Sequence, residues 1–198
     1  MSAPSRQALV RDVVALAVLA ALVVGGVSWW RAAAAARLWQ TVALEAEGLR
    51  FRLPPDWTAT PLGYADADFS AGRPGRGIVL VVRSFAIPPE MRRTDGDQTI
   101  ERAALEAWAA RQRAAARQGR RLHTETSLRI GGVRGVLQVF EDRREALPVS
   151  VVAAAAREGR LYSFQAQAGS SVRPRDAART VRRILRTVEW IERPRPTG

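Results

Sequence analysis

The hydrophobic pattern opens with an uninterrupted block. Residues 13–30 read VVALAVLAALVVGGVSWW, with no charge and one serine among apolar positions. A membrane-crossing helix needs roughly 17–25 such residues, because the hydrocarbon layer is about 30 Å thick and each residue rises about 1.5 Å. The block predicts a membrane anchor built on Val13, Leu16, Leu19, Leu22 and Val23, with Trp29 and Trp30 in the interfacial belt where amphipathic rings settle. The alanines after Arg31 continue it to residue 38, the arginine reaching for the headgroups. Those alanines also offer A-x-A cleavage sites, so a signal peptide removed near residues 33–38 is the competing reading. The apolar run exceeds the usual 7–15-residue core of such signals, which favours the uncleaved anchor. Arg6 and Arg11 on one side balance Arg31 and Arg37 on the other. Orientation therefore rests on the ease with which long domains translocate, which puts the N-terminus inside.

Beyond the anchor the periods change. Residues 31–47 read as a helical stalk ended by Gly48. Leu49, Phe51 and Leu53 then alternate with Arg50 and Arg52, the period-two signature of a half-buried strand, before Pro54-Pro55-Asp56 forces a turn. Residues 64–69 alternate more weakly. Residues 72–77 form a loop, and 78–82, extended through 84–87, read as a central strand rich in β-branched residues. A helix capped by Asp97 or Thr99 runs to about Gln118, burying Ile100, Ala104, Leu105, Trp108 and Ala115. Four strands follow at 122–130, 133–141, 149–156 and 161–168, the last two joined by Arg157-Glu158-Gly159-Arg160 with its turn glycine. Pro174 opens a closing helix whose apolar face is Ala177, Val181, Ile184, Leu185 and Val188. The divisions are a tail 1–12, a transmembrane helix with its continuation 13–38, a stalk 39–47, an α+β domain 48–192 and a tail 193–198.

Charge changes the picture less than its size suggests. The net charge is +12, which invites a nucleic-acid reading. Every one of the 31 basic residues is arginine, however, and asparagine is missing too, the mark of a GC-rich coding sequence. The arginines are scattered and lack interleaved aromatics, so no nucleic-acid partner is expected. With 0 cysteines, disulfides, thiolate metal sites and cysteine nucleophiles are excluded.

Candidate chemistry is sparse. His123 is the single histidine, and a triad or metal site would need companions that the chain does not supply. Gly72 to Gly77 has the glycines of a phosphate cradle, but a strand follows where a phosphate loop needs a helix. Asp95-Gly96-Asp97 with Glu101 falls short of a calcium loop's fixed ligand positions. Asp66 with Asp68, and Glu141 with Asp142, could supply acid and base, although the first pair sits on the expected solvent side of a strand. Ala17, Ala21 and Gly25 form a small-residue stripe that would let two anchors pack as a homodimer. No catalytic residue, cofactor site or metal site is assigned.

The order of elements, with Phe51, Leu53, Pro54 and Trp57, then Ile130-Gly131-Gly132, then Gly159-Arg160-Leu161-Tyr162, resembles the PsbP-like (DcrB-like) fold of exported proteins. That resemblance implies an antiparallel sheet with helices packed on its faces, and binding or scaffolding rather than catalysis. The expectation is a membrane-anchored, extracytoplasmic accessory protein of the cell envelope, its partners the lipid bilayer and another envelope protein. Two alternatives stay open. One is a small-ligand receptor or enzyme whose arginines converge on Asp66, Asp68 or Glu141. The other is a secreted binder released by cleavage.

Overall fold

The computed structural model describes residues 18, 22, 24, 38–60, 66–73, 75, 77–88, 100–116, 120–142 and 146–193. Of the expected anchor and its continuation only Val18, Leu22, Val24 and Leu38 are described; the rest lies outside the described residues, as do Ala17, Ala21, Gly25 and the Asp95-Gly96-Asp97 segment. Among the described residues no helix is long and apolar enough to cross a membrane.

The first strand is a correction. Gln40–Leu44 (β1) is extended, and Glu45–Glu47 is a single 3-10 turn closed by Gly48 in the left-handed region, where a helical stalk was expected. The composition of this stretch suits a helix, but Val42 and Leu44 also alternate with Thr41 and Ala43. Pairing with Leu49–Leu53 (β2), Gln40 opposite Leu53 and Leu44 opposite Leu49, lets both side chains pack against the core. The compact unit accordingly begins at Gln40 rather than at Gly48. Glu189–Trp190 (β10) adds to the other edge of β2, giving a small sheet of order β1-β2-β10.

The large sheet has seven antiparallel strands. Thr58–Ala59 (β3), Phe69–Arg73 (β4), Ile78–Ala86 (β5), Arg121–Ile130 (β6), Val133–Glu141 (β7), Val149–Arg157 (β8) and Arg160–Ala168 (β9) lie in the order β3-β4-β5-β9-β8-β7-β6. The expected strand over 64–69 begins only at Phe69, because Asp66 to Asp68 make a turn. Gly72 and Arg73 then belong to β4, which shortens the expected loop. Strand β8 holds Ala153–Ala156 extended despite alanine's helical preference, paired on both sides to β7 and β9. At the β8–β9 turn Glu158 (φ 51) and Gly159 (φ 71) are both left-handed, the type I′ geometry that matches strand twist.

Each face of this sheet is covered. On one, Ala177, Val181, Ile184 and Leu185 of the helix Pro174–Leu185 (α2) pack over β7 and β8, beside the small sheet. Leu49, Phe51 and Leu53 point inward from β2, and Phe51 meets Phe69 and Phe164 edge-on with ring centroids 5.5 and 6.2 Å apart. Burying side chains of this size contributes about 1.5–3 kcal/mol each. On the opposite face the helix Ile100–Ala116 (α1) crosses β8 and β7. It buries Ala104, Leu105, Ala109 and Ala116 there; Ala115, expected inside, faces solvent. Small residues meet across the contact, with Ala104 and Ala109 of α1 in one buried cluster with Ala154 and Ala156 of β8.

Candidate functional site

Strand alternation decides what α1 rests on. Gln138 of β7 is fully buried under the helix, and its Nε2 donates to the Ala109 carbonyl (3.1 Å) and to Glu125 Oε2 of β6 (2.7 Å). Arg113 of α1 grips the same Glu125 carboxylate through both oxygens, at 2.7 and 2.9 Å. The Gln138 amide is the main reason the Glu125 carboxyl stays below its ordinary pKa; Arg113 helps, against the opposing effect of burial. These bonds tie α1 to the sheet and leave a cleft along each of its sides.

The cleft toward β6 and β7 has a volume of about 270 Å³ and is lined by Arg102, Glu106, Arg113, Glu125 and Arg134. Arg102 pairs with Glu106 (3.0 Å) and Arg113 with Glu125, so both carboxylates are already neutralised. The cleft toward β5 and β9, about 410 Å³, is apolar: Phe85, Ile87, Trp108 and Leu161 form its walls, with Arg111 and Gln112 at the rim. Phe85 is 42% exposed, and among the described residues from Gln40 onward it is the only large hydrophobic side chain left in water. Arg111 is exposed and forms no ion pair with any described residue.

A polar tie lies at the start of β9. Arg160 Nη2 donates to Glu47 Oε2 (2.5 Å) and to Ser84 Oγ (2.7 Å), Ser84 donates to the same Glu47 carboxylate, and Tyr162 donates to the Glu47 carbonyl (2.8 Å). Burial raises the Tyr162 pKa above the usual phenol value. Its ring packs on Trp190 at 4.8 Å, and Arg157 lies 5.5 Å from the same indole. All the members sit at strand ends or in turns, and the tie fastens the small sheet to the large one.

The residues singled out from sequence do not converge. His123 stands at a bulge in β6 and bonds Glu141 Oε2 at 2.7 Å, far along the sheet from Asp66, which pairs with Arg83 at 3.2 Å. Asp66 and Asp68 share no strand face, since both precede β4; Asp68 donates its backbone N–H to Val82. None of Asp66, Asp68 or Glu141 lines the arginine-rich cleft, whose carboxylates are Glu106 and Glu125. Glu101 lies in the first turn of α1. Among the described residues no group of three His, Asp or Glu side chains could hold a metal ion. The sequence pattern does not reveal the apolar cleft, because Trp108 reads there as ordinary core. Phe85 gives the available signal, a bulky side chain on the strand face opposite the core residues Ile78, Leu80 and Val82.

This arrangement can be set beside known structures. No protein-family model matches the chain, and no curated protein does. The solution structure of cyanobacterial PsbP (CyanoP) from Synechocystis superposes with a TM-score of 0.53 at 14% identity, over 77% of this chain and 92% of that one. The domain shares the PsbP fold. A weaker likeness, TM-score 0.46 at 14% identity over 78% of this chain and 91% of the other, is to LpqN of Mycobacterium tuberculosis, described as involved in cell envelope biogenesis. The CyanoP match confirms the antiparallel sheet with helices on its faces that the sequence resemblance implied.

Proposed function

We propose that this PsbP-fold chain is a non-catalytic accessory protein of the cell envelope, held to the membrane by residues 13–30 with its domain on the extracytoplasmic side. The observation that carries the binding role is Phe85. A large apolar side chain left 42% exposed, beside a cleft walled by Trp108 and Leu161, suits a protein partner that inserts an apolar side chain. The unpaired Arg111 at the rim favours a partner with a carboxylate next to that side chain. Support for the anchor, and with it for the envelope setting, is the apolar block itself.

Two measurements test the reading. Alkaline carbonate washing should leave the full-length protein in the membrane pellet, and release of intact chain would remove the anchor. Phe85→Glu should abolish co-purification of the partner recovered with the wild type while leaving the thermal midpoint nearly unchanged. Unaltered recovery with the variant would remove the cleft as the binding site.

A further inference from the structure

The face opposite α1 carries a different signal. Along α2, Arg175, Arg179, Arg183 and Arg186 are exposed at intervals of three or four residues, a single stripe pointing away from the core. In the same layer, β2 turns Leu49, Phe51 and Leu53 inward and therefore Arg50 and Arg52 outward. Asp176 lies 3.5 Å from Arg179, and Glu189 3.9 Å from Arg50. Like charges one helical turn apart repel, and Arg175 also sits at the helix end that disfavours cations. The fold gathers these arginines on one surface.

Connectivity says what this surface meets. The domain's first strand begins at Gln40, and in its ladder Thr41 lies opposite Arg52. Arg52 donates its backbone N–H to Thr187 Oγ1 at 2.8 Å, next to Arg186 at the end of α2. The chain therefore enters the domain at the edge of the arginine face. Fully extended, the residues between Trp30 and Gln40 reach at most roughly 35 Å. A tether of this length holds the domain at high effective concentration beside the leaflet.

We propose that the outer face of α2 and β2 docks on an anionic lipid surface, the leaflet from which the domain is tethered. Docking in this way directs α1 and the apolar cleft beside it away from the membrane, toward partners in the aqueous compartment. This inference rests on the anchor reading above and adds an orientation to it.

The test uses the full-length chain in vesicles of phosphatidylcholine alone or with phosphatidylglycerol. Because the protein has 0 cysteines, a fluorophore can be placed at Ala43→Cys, exposed on β1, or at Ala110→Cys, exposed on α1. Nitroxide-labelled headgroups report contact by quenching. The Ala43 probe should be quenched roughly threefold more with phosphatidylglycerol than without, since each arginine near an anionic surface is attracted to it. That difference should vanish in 1 M salt, where the screening length falls to about 3 Å, and in the Arg175→Gln/Arg179→Gln/Arg183→Gln/Arg186→Gln variant. The Ala110 probe should not respond. Equal quenching of the Ala43 probe in both vesicles, or stronger quenching at Ala110, overturns the docking; such a face would then serve an acidic protein instead. Failure of the chain to float with phosphatidylcholine vesicles is a separate result, which removes the anchor and this proposal with it.

Discussion

Replacing Gln138 by leucine probes the element on which the cleft depends. The side chain is fully buried and donates to Ala109 O and to Glu125, while its own Oε1 accepts nothing from the protein. Leucine of similar volume deletes a neutral bond of about 0.5–1.5 kcal/mol and a charged one of about 1.5–3 kcal/mol. The second figure is discounted to about 1 kcal/mol because the Glu125 side chain is 34% exposed and keeps Arg113. Removing the unpaired Oε1 returns about 1 kcal/mol. The expected net loss is about 0.5–1.5 kcal/mol at pH 7, read from the midpoint of urea unfolding at unchanged slope. It should depend on pH with a definite sign. The Glu125 pKa is lowered in the folded state, chiefly by Gln138, so the resulting stability is present above the unfolded value and lost as pH falls through the folded one. The gap between wild type and Gln138→Leu should therefore narrow between pH 6 and pH 3. An equal gap at both pH values, or a more stable variant at pH 7, would show that Gln138 does not hold Glu125 as argued.

Other positions give equally definite expectations. Gly131→Ala places a Cβ 2.5 Å from the Trp190 indole nitrogen at a residue with φ of +54°, so a loss of about 1–3 kcal/mol in urea unfolding is expected. Ala154→Leu overfills the contact beneath α1, where residue 154 is 0% exposed, and should lower the thermal midpoint by an amount matching about 1–3 kcal/mol. Tyr162→Phe deletes the 2.8 Å bond to the Glu47 carbonyl, costing about 1 kcal/mol. Because the folded Tyr162 pKa is raised, the wild type's extra stability is complete below the unfolded phenol value near 10 and falls away as pH climbs through the folded one. Alkaline denaturation curves of the two proteins should accordingly converge above pH 10.

What the sequence showed and what it hid follow from the range of the interactions. Residues 133–141 and 161–168 alternate or run apolar between clear turn signals, and they form β7 and most of β9. The closing helix was legible from its proline and its stripe of Ala177, Val181, Ile184 and Leu185. Strand β1 was not, since glutamates and alanines argue locally for a helix and only pairing with β2 overrides them. Strands β3 and β10 hold two residues each, too few to carry a period. The tie between Glu47 and Arg160 joins residues 113 positions apart, and no spacing rule reaches that far. The same holds for the apolar cleft. It exists because Gln138 and the small alanines set where α1 lies, leaving Phe85 and Trp108 as opposite walls.

The central claim is that Phe85 and its cleft receive a partner protein, and site-specific photocrosslinking in native membranes tests it most directly. A photoreactive residue in place of Phe85 should give one discrete protein adduct, with no such adduct from Ala110 on the outer side of α1. The same adducts from both positions, or none from Phe85, would contradict the account.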